Sequence, residues 1–206
     1  MPEQDRSGID PEDKLIVIAG RSNVGKSSMI RALTGRKVRV GKRPGSTKWE
    51  QLIDLGAFLL VDMAGFGFMA GQSKTAIEEM KTEIVRKLES WGRQIVLSIL
   101  IVDISLFRTL FERWDARDEI PIDVEFYSFL SEISPEVIVA ANKSDKLKKK
   151  QLEIDLEFMK SCLVEIVPSS EPIIVPISAT KGKGVLSLKD AVECSLRDRD
   201  LGKPSW

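Results

Sequence analysis

Apolar residues along this chain fall into two kinds of run, short continuous blocks and longer stretches repeating near every 3.6 positions. The blocks read as strands. Lys14–Ala19 is one, and Trp49–Leu55 and Ala57–Val61 form a pair joined at Gly56, the pattern of a hairpin. Gln94–Val102 is almost wholly apolar, as a central strand covered on both faces must be, and Val137–Ala141 and Pro172–Ile177 repeat the pattern. Between them lie helical periods: Lys26–Leu33, then Lys74–Trp91 with Ile77, Met80, Ile84 and Leu88 on one face. Leu106–Trp114 is an irregular amphipathic piece, and Ile122–Ile133 places Ile122, Phe126, Phe129 and Ile133 in register. Leu152, Leu156, Met159 and Leu163 mark the next helix, and Val185, Leu188, Val192 and Leu196 the last. Strands alternating with helices predict a three-layer α/β fold. Its sheet is six-stranded and mostly parallel, with one antiparallel hairpin strand. No repeat, low-complexity tract or flexible linker divides residues 1–206, so a single domain is expected, with an acidic N-terminal extension over 1–13 and a short tail over 200–206.

Composition narrows the chemistry. With 43% hydrophobic and 30% charged residues the chain is neither disordered nor fibrous. Its 31 basic and 31 acidic side chains cancel, which argues against a uniformly basic nucleic-acid or membrane binder but leaves room for local patches. There is no histidine, so no Ser-His-Asp or Cys-His pair, no imidazole base and no histidine metal ligand. Cys162 and Cys194 stand alone, outside any paired-thiolate zinc pattern, and read as reduced, partly buried thiols. No stretch approaches the roughly 18 apolar residues of a membrane span, and the polar, acidic start is unlike a secretory signal. A cytoplasmic protein without membrane contact is expected. Any chemistry must run on lysine, hydroxyls, carboxylates, backbone amides and a hard cation.

Gly20-Arg21-Ser22-Asn23-Val24-Gly25-Lys26-Ser27 matches G-x-x-x-x-G-K-S between a predicted strand and a predicted helix, the context a phosphate-binding loop requires. Its glycines let successive amides converge on an anion at the helix N-terminus. Lys26 can neutralise β- and γ-phosphates, the Ser27 hydroxyl can ligate Mg²⁺, and Ser28 continues the loop into the helix. Asn142-Lys143-Ser144-Asp145 follows the strand Val137–Ala141, at the carboxyl edge where ligands bind. Asp145 can accept from N1 and the exocyclic amine of guanine, a pairing adenine cannot make. The stem of Lys143 can lie along the base, and Asn142 can tie this loop to the phosphate loop. Ile177-Ser178-Ala179 follows the next strand, where the Ala179 amide can reach guanine O6. Asp62-Met63-Ala64-Gly65 closes the strand Ala57–Val61; Asp62 can hold Mg²⁺ through water, and the Gly65 amide can contact a γ-phosphate. In Pro44-Gly45-Ser46-Thr47, Thr47 can complete the Mg²⁺ shell, with Ser46 the competing hydroxyl.

These motifs in this order resemble the Ras-like P-loop (TRAFAC) GTPase fold across nearly the whole chain. Gly20–Ser28, Arg43-Pro-Gly-Ser-Thr47, Gly65-Phe-Gly-Phe68 and Asn142-Lys-Ser-Asp-Lys-Leu147 are similar, more narrowly, to the EngB (YihA/YsxC) family. The resemblance implies a protein that binds GTP and GDP, hydrolyses GTP with Mg²⁺ and docks on the large ribosomal subunit or its rRNA during assembly. In bacteria it also implies a link to cell division and septation. The usual D-L-P-G-Y-G-Y reads Asp62-Met-Ala-Gly-Phe-Gly-Phe68 here, and Lys48 follows Thr47 where glutamine is common, departures that fit a divergent or archaeal branch. A monomer is expected.

Ras-like enzymes generally place a water-orienting glutamine after the D-x-x-G glycine; this chain has Phe66, which cannot hydrogen-bond water. Turnover is therefore expected to be slow without K⁺ or a ribosomal activator. Asn23 matches a position whose side-chain carbonyl supports K⁺ in related GTPases, the competing role being to stabilise a tight loop. The catalytic set on this reading is Lys26, Thr47, Gly65 and Asn23. The alternatives are an ATPase, opposed by Asp145; a related GTPase of RNA modification or small-subunit assembly, opposed by the lack of room in 206 residues for the extra domain those usually carry; and a GTP-gated ribosome- or RNA-binding module with negligible hydrolysis. The zero net charge is itself a cancellation. Residues 36–48 carry Arg36, Lys37, Arg39, Lys42, Arg43 and Lys48 with no acid, an expected rRNA contact, against acidic stretches at Glu3–Asp13 and Asp115–Glu125.

Overall fold

The structure is a computed structural model that describes residues 8–36, 50–65 and 74–206. Strand β1 (Leu15–Gly20) leads into helix α1 (Lys26–Thr34), and β2 (Glu50–Asp54) and β3 (Leu59–Met63) form the hairpin. Helix α2 (Lys74–Trp91) and a 3₁₀ turn at Gly92–Gln94 precede β4 (Ile95–Asp103), followed by α3 (Ile104–Asp115) and α4 (Ile122–Ile133). Then come β5 (Val137–Asn142), a 3₁₀ turn at Ser144–Lys146, α5 (Lys149–Ile166), β6 (Ile173–Pro176) and α6 (Val185–Arg197).

The six strands form one sheet in the order β2-β3-β1-β4-β5-β6, in which only β2 and β3 pair antiparallel. This is the α/β architecture expected from the alternation of blocks and periods. Side chains on β1 point alternately to the two faces, as pleating demands. Leu15, Val17 and Ala19 join a core with Ile84 and Leu88 of α2, Phe107 of α3, Tyr127 and Leu130 of α4 and Met159 and Leu163 of α5. Ile16 and Ile18 face the other way, onto Met29, Ile30 and Leu33 of α1 and Leu188, Val192 and Leu196 of α6. Both faces are covered, so β4 and β5 are apolar throughout except Ser98 and their last residues, Asp103 and Asn142.

Three local readings change. Leu106–Trp114, read as irregular, lies inside the regular helix α3. The buried Asp103 starts that helix, its carboxylate accepting from the Ser105 amide at 3.2 Å and the Ser105 hydroxyl at 2.6 Å. Phe107 and Phe111 then pack with Phe158 of α5, ring centroids 5.2–6.2 Å apart, so these aromatics are core. In the hairpin, the turn occupies Leu55–Phe58 rather than Gly56 alone. The Leu55 amide donates to the Phe58 carbonyl at 2.8 Å, and β3 begins two residues later than its apolar run. Of the cysteines, Cys162 is buried but Cys194 is exposed. Burial pushes the Cys162 thiol up to about 11, which makes it inert.

Every parallel strand ends at one edge of the sheet, and that edge receives Gly20, Met63, Asp103, Asn142 and the residues after Pro176. It lies at the reversal of strand order around β1, where ligands bind in open α/β sheets.

Candidate nucleotide site

The loop from Gly20 to Gly25 turns from β1 into α1 through backbone angles that ordinary side chains resist. Gly20 has φ 153°, Asn23 φ 67° and Gly25 φ 103°. A Cβ on Gly20 would fall 2.5 Å from the Ile101 carbonyl oxygen, and one on Gly25 would fall 2.4 Å from Asn142 Nδ2. Glycine is required at both positions by space as well as by φ. Gly25 caps α1 without a side-chain hydrogen bond, and the first turn holds no acid. The positive end of the helix therefore faces outward with a lysine already on it, an arrangement that favours an anion.

Lys26 Nζ donates to the Gly20 carbonyl at 3.0 Å and lies near that of Arg21 at 3.5 Å. Burial holds its pKa below the ordinary lysine value, partly offset by the Asp62 carboxylate. Asp62, on β3 in register with Ile18, shows the reciprocal effect: burial raises its pKa to about 6 against the pull of Lys26. Its Oδ1 is buried with no hydrogen-bond partner. The Ser22 hydroxyl donates to the Gly65 carbonyl at 3.3 Å, and a Cβ on Gly65 would crowd Lys26 Nζ at 2.7 Å. The D-x-x-G segment thus closes directly over the phosphate loop.

An orphaned carboxylate oxygen beside a serine-bearing helix start is a donor set for a hard cation. Asp62 and Ser27 fit Mg²⁺, which takes few protein ligands and fills its shell with water and phosphate oxygens. No group of three or more Cys, Asp or Glu among the described residues is arranged to hold a metal unaided. A cation here would need the nucleotide's own oxygens.

Three loops meet at Asn142. Its Nδ2 donates to the Val24 carbonyl at 2.7 Å and its Oδ1 accepts from the Ala179 amide at 3.1 Å, with the side chain buried. The Ala179 amide, expected to face guanine O6, is held here by Asn142, so a base oxygen would compete for it. Lys143, at φ 64°, reaches back to donate to the Asn23 carbonyl at 2.7 Å and to Asp103 Oδ2 at 2.6 Å. The Ser144 amide donates to the Ile177 carbonyl at 3.0 Å, which joins the loops after β5 and β6. Gly184 closes the second loop at φ 71°, where a Cβ would fall 2.2 Å from the Pro176 carbonyl oxygen. Asp145 is exposed, and the Ser178 hydroxyl, aided by Lys181 and Lys146, keeps its carboxyl below the usual range. It is an ionised acceptor facing solvent beside a rigid wall.

Among the expected residues, Val24 and Met63 are buried, Ser28 is exposed, and Ser27 and Ala64 are intermediate. Gly45, Ser46, Thr47, Phe66, Phe68 and the basic stretch from Lys37 to Lys48 lie outside the described residues. Two acids that motif reading missed complete the site. Asp103 anchors Lys143, and Asp123 of α4 accepts from Arg21 Nε through both oxygens at 2.9 Å, buried like Asp103. Burial raises the Asp123 pKa and Arg21 opposes the rise. The legible signal for Asp103 was an acid at the carboxyl end of an otherwise apolar strand; for Asp123 it was an acid opening an apolar helix.

No helix among the described residues is long and apolar enough to cross a membrane. Residues 15–143 match the family model described as "50S ribosome-binding GTPase". The chain is 42% identical over 184 residues to the probable GTP-binding protein EngB of Pyrococcus horikoshii, covering 89% of this chain and 84% of that one. With the probable GTP-binding protein EngB of Methanopyrus kandleri it shares 43% identity over 196 residues, 93% of this chain and 95% of the relative. A crystal structure of a probable GTP-binding protein engB superimposes with a TM-score of 0.79 at 41% identity, over 89% of this chain and 99% of that one. Matched at 41–43% identity over about nine-tenths of its length by these archaeal proteins and this structure, the chain belongs to the EngB family.

Proposed function

We propose that this protein is a GTP-binding switch that hydrolyses GTP to GDP and phosphate and acts in assembly of the large ribosomal subunit, as a single G domain. The observation that carries this reading is Asn142, whose one side chain links the phosphate loop, the Asn142–Asp145 loop and the Ser178–Ala179 loop. Such a junction makes base recognition and phosphate binding parts of one rigid body. The family description and the names of the archaeal relatives support the nucleotide and the ribosomal partner.

On this reading the amides from Ser22 to Ser27 and the Lys26 ammonium receive the β- and γ-phosphates, and Asp145 selects guanine through N1 and the exocyclic amine. Mg²⁺ held by Ser27, Thr47 and, through water, Asp62 would neutralise charge on the phosphates. The Gly65 amide senses the γ-phosphate. Phosphoryl transfer to water needs positioning and charge neutralisation, and this chain supplies mainly the second. Phe66 cannot orient water, so intrinsic turnover is slow and awaits K⁺ at Asn23 or a ribosomal activator. That same residue favours a second reading, a GTP-gated binding module with negligible hydrolysis.

Competition between labelled GDP and unlabelled GTP, ATP and XTP tests the nucleotide. GTP should displace and ATP should not, and Asp145→Asn should shift preference toward XTP, because an amide donor suits a base carbonyl. Equal displacement by ATP refutes guanine selection. Single-turnover hydrolysis in KCl and NaCl, with and without large ribosomal subunits, separates the two readings: no acceleration under any condition selects the module.

A further inference from the structure

Beside the base-facing wall, two neighbouring loops carry lysines without ion-pair partners among the described residues. Lys146 and Lys148–Lys150 follow β5, and Lys181 and Lys183 follow β6; all six are exposed. The loops are fastened together by Ser144 and Ile177, and the second is pinned by the Ser178 amide on the Lys183 carbonyl at 2.9 Å. The Ser144–Ile177 bond sets the two loops side by side, and Lys146 and Lys181, one from each, both act on Asp145 between them. By contrast, Lys143, Lys160, Lys203, Arg21 and Arg108 all form ion pairs. Asp145 is the one carboxylate in residues 143–151 and 177–184.

Helix physics argues against this placement. Lys148 is the N-cap of α5, without a side-chain cap bond, and Lys149 and Lys150 open a first turn that holds no acid. Cations there oppose the helix dipole and one another. The contrast is α4, whose first turn carries Asp123 and Glu125. An external polyanion resolves the conflict, because it supplies the negative charge that the helix start lacks. The residues also indicate the kind of polyanion. The two loops contain neither arginine nor an aromatic ring, so they offer compact point charges without forks for base edges or platforms for stacking. That composition suits sequence-independent contact with phosphates.

We propose that Lys146, Lys148, Lys149, Lys150, Lys181 and Lys183 form a docking surface for the phosphate backbone of double-stranded RNA, set against the guanine side of the nucleotide site. The proposal deepens the ribosomal reading above and rests on it for the source of the RNA. It is separate from the basic stretch at residues 36–48. Because the surface is built on the loops that hold the base, RNA would meet the side of the site away from the phosphates.

The test compares wild type with Lys148→Ala/Lys149→Ala/Lys150→Ala and Lys181→Ala/Lys183→Ala, using a short labelled RNA duplex and, separately, purified large ribosomal subunits. A control variant removes three exposed cations elsewhere, Arg86→Ala/Arg93→Ala/Arg113→Ala. Melting temperature and far-UV circular dichroism establish that each variant is folded, and the triple-lysine variant should melt at or above wild type. At fixed salt the triple variant should bind duplex at least about tenfold more weakly. Its slope of log K against log salt should become shallower by up to about 0.9 for each phosphate that a substituted lysine had neutralised. The arginine control should match wild type. If the lysine variants bind both duplex and subunits like wild type, or the control is weakened as much as they are, the surface is overturned while the ribosomal reading stands. If wild type ignores subunits yet duplex binding still depends on the lysines, the surface stands and the ribosomal reading falls. If the variants no longer bind subunits but keep duplex, the partner is a protein and the RNA assignment is overturned.

Discussion

The two edges of the one sheet have been put to opposite uses. At the carboxyl edge polar side chains tie the described loops to one another: buried Asn142 to Val24 and Ala179, and Lys143 and Arg21, partly exposed, to the buried Asp103 and Asp123, with Lys143 also on Asn23. At the amino edge, polar side chains also join elements, Gln94 to the Asp10 carbonyl, Ser98 to Ser134 and Arg199 to the Val96 carbonyl, beside backbone contacts such as the Leu59 amide to the Lys14 carbonyl and the Ser205 amide to the Leu55 carbonyl at 2.8–2.9 Å. That edge also has a concavity, lined by Glu12, Asp13, Lys14, Asp54 and Phe58 among others. Its three carboxylates repel anions, and no described helix starts among its lining residues. The difference teaches that a nucleotide site is recognised by oriented amides, a buried cation and an unpartnered acid, and not by concavity.

The sharpest way to break the contrast is to fill the space that glycine leaves at Gly25. Gly25→Ala combines a strained φ with a 2.4 Å clash against the Asn142 amide, so GDP affinity should fall at least about 100-fold by titration. Asn142→Ala should follow, because it leaves the buried Val24 carbonyl and Ala179 amide without their partner. A stability loss of about 2–4 kcal/mol by denaturant melting is expected, together with weaker GDP binding. At the amino edge, Glu12→Ala, exposed on the wall of the concavity, should change neither nucleotide affinity nor stability by more than about 0.5 kcal/mol. Loss of GDP binding there would collapse the comparison.

The pH dependence of Asp62 sharpens it further. Its pKa is raised to about 6 in the fold from an unfolded value near 3.8, so its favourable contribution is complete below about 4 and is lost as pH rises through 6. In nucleotide-free protein above pH 6, Asp62→Asn should therefore raise stability, by on the order of 1–3 kcal/mol, the pull of Lys26 being already contained in the raised pKa. The Mg²⁺ dependence of GTP binding should strengthen in wild type between pH 5 and about 7 and be flat in the variant. Lys149→Glu/Lys150→Glu should stabilise the protein by about 0.3–1 kcal/mol per site in thermal melts at low salt, because acids suit the start of α5.

Much of this was legible in the residues. The bounds of α2 and α4 follow from periodicity, although α4 turns Val124, Tyr127 and Leu130 fully inward and leaves Phe129 and Ile133 partly buried, and the order of strands and helices yields the layered fold. The phosphate loop and Asn142–Asp145 were legible because their chemistry depends on residue types at fixed spacing. Less legible were features made by distant contacts. Helix α3 was obscured because its start depends on the side chain of Asp103, and its aromatics are ordered by Phe158, 47 residues beyond Phe111. Cys194 shares the helical period of its neighbours, yet falls on the exposed side of α6, a matter of helix rotation that apolar spacing left open.

By itself, then, the sequence determined the order of strands and helices, the family and the candidate residues for phosphate and guanine, because each of these is encoded in local pattern. Only the tertiary structure decided the partnerships. It brought Arg21 to Asp123 across 102 positions and Asn142 to Val24 across 118, left one oxygen of Asp62 without a partner, and set lysines from two loops beside Asp145. Those outcomes depend on which strand ends share an edge, and that is settled by how the sheet buries both its faces.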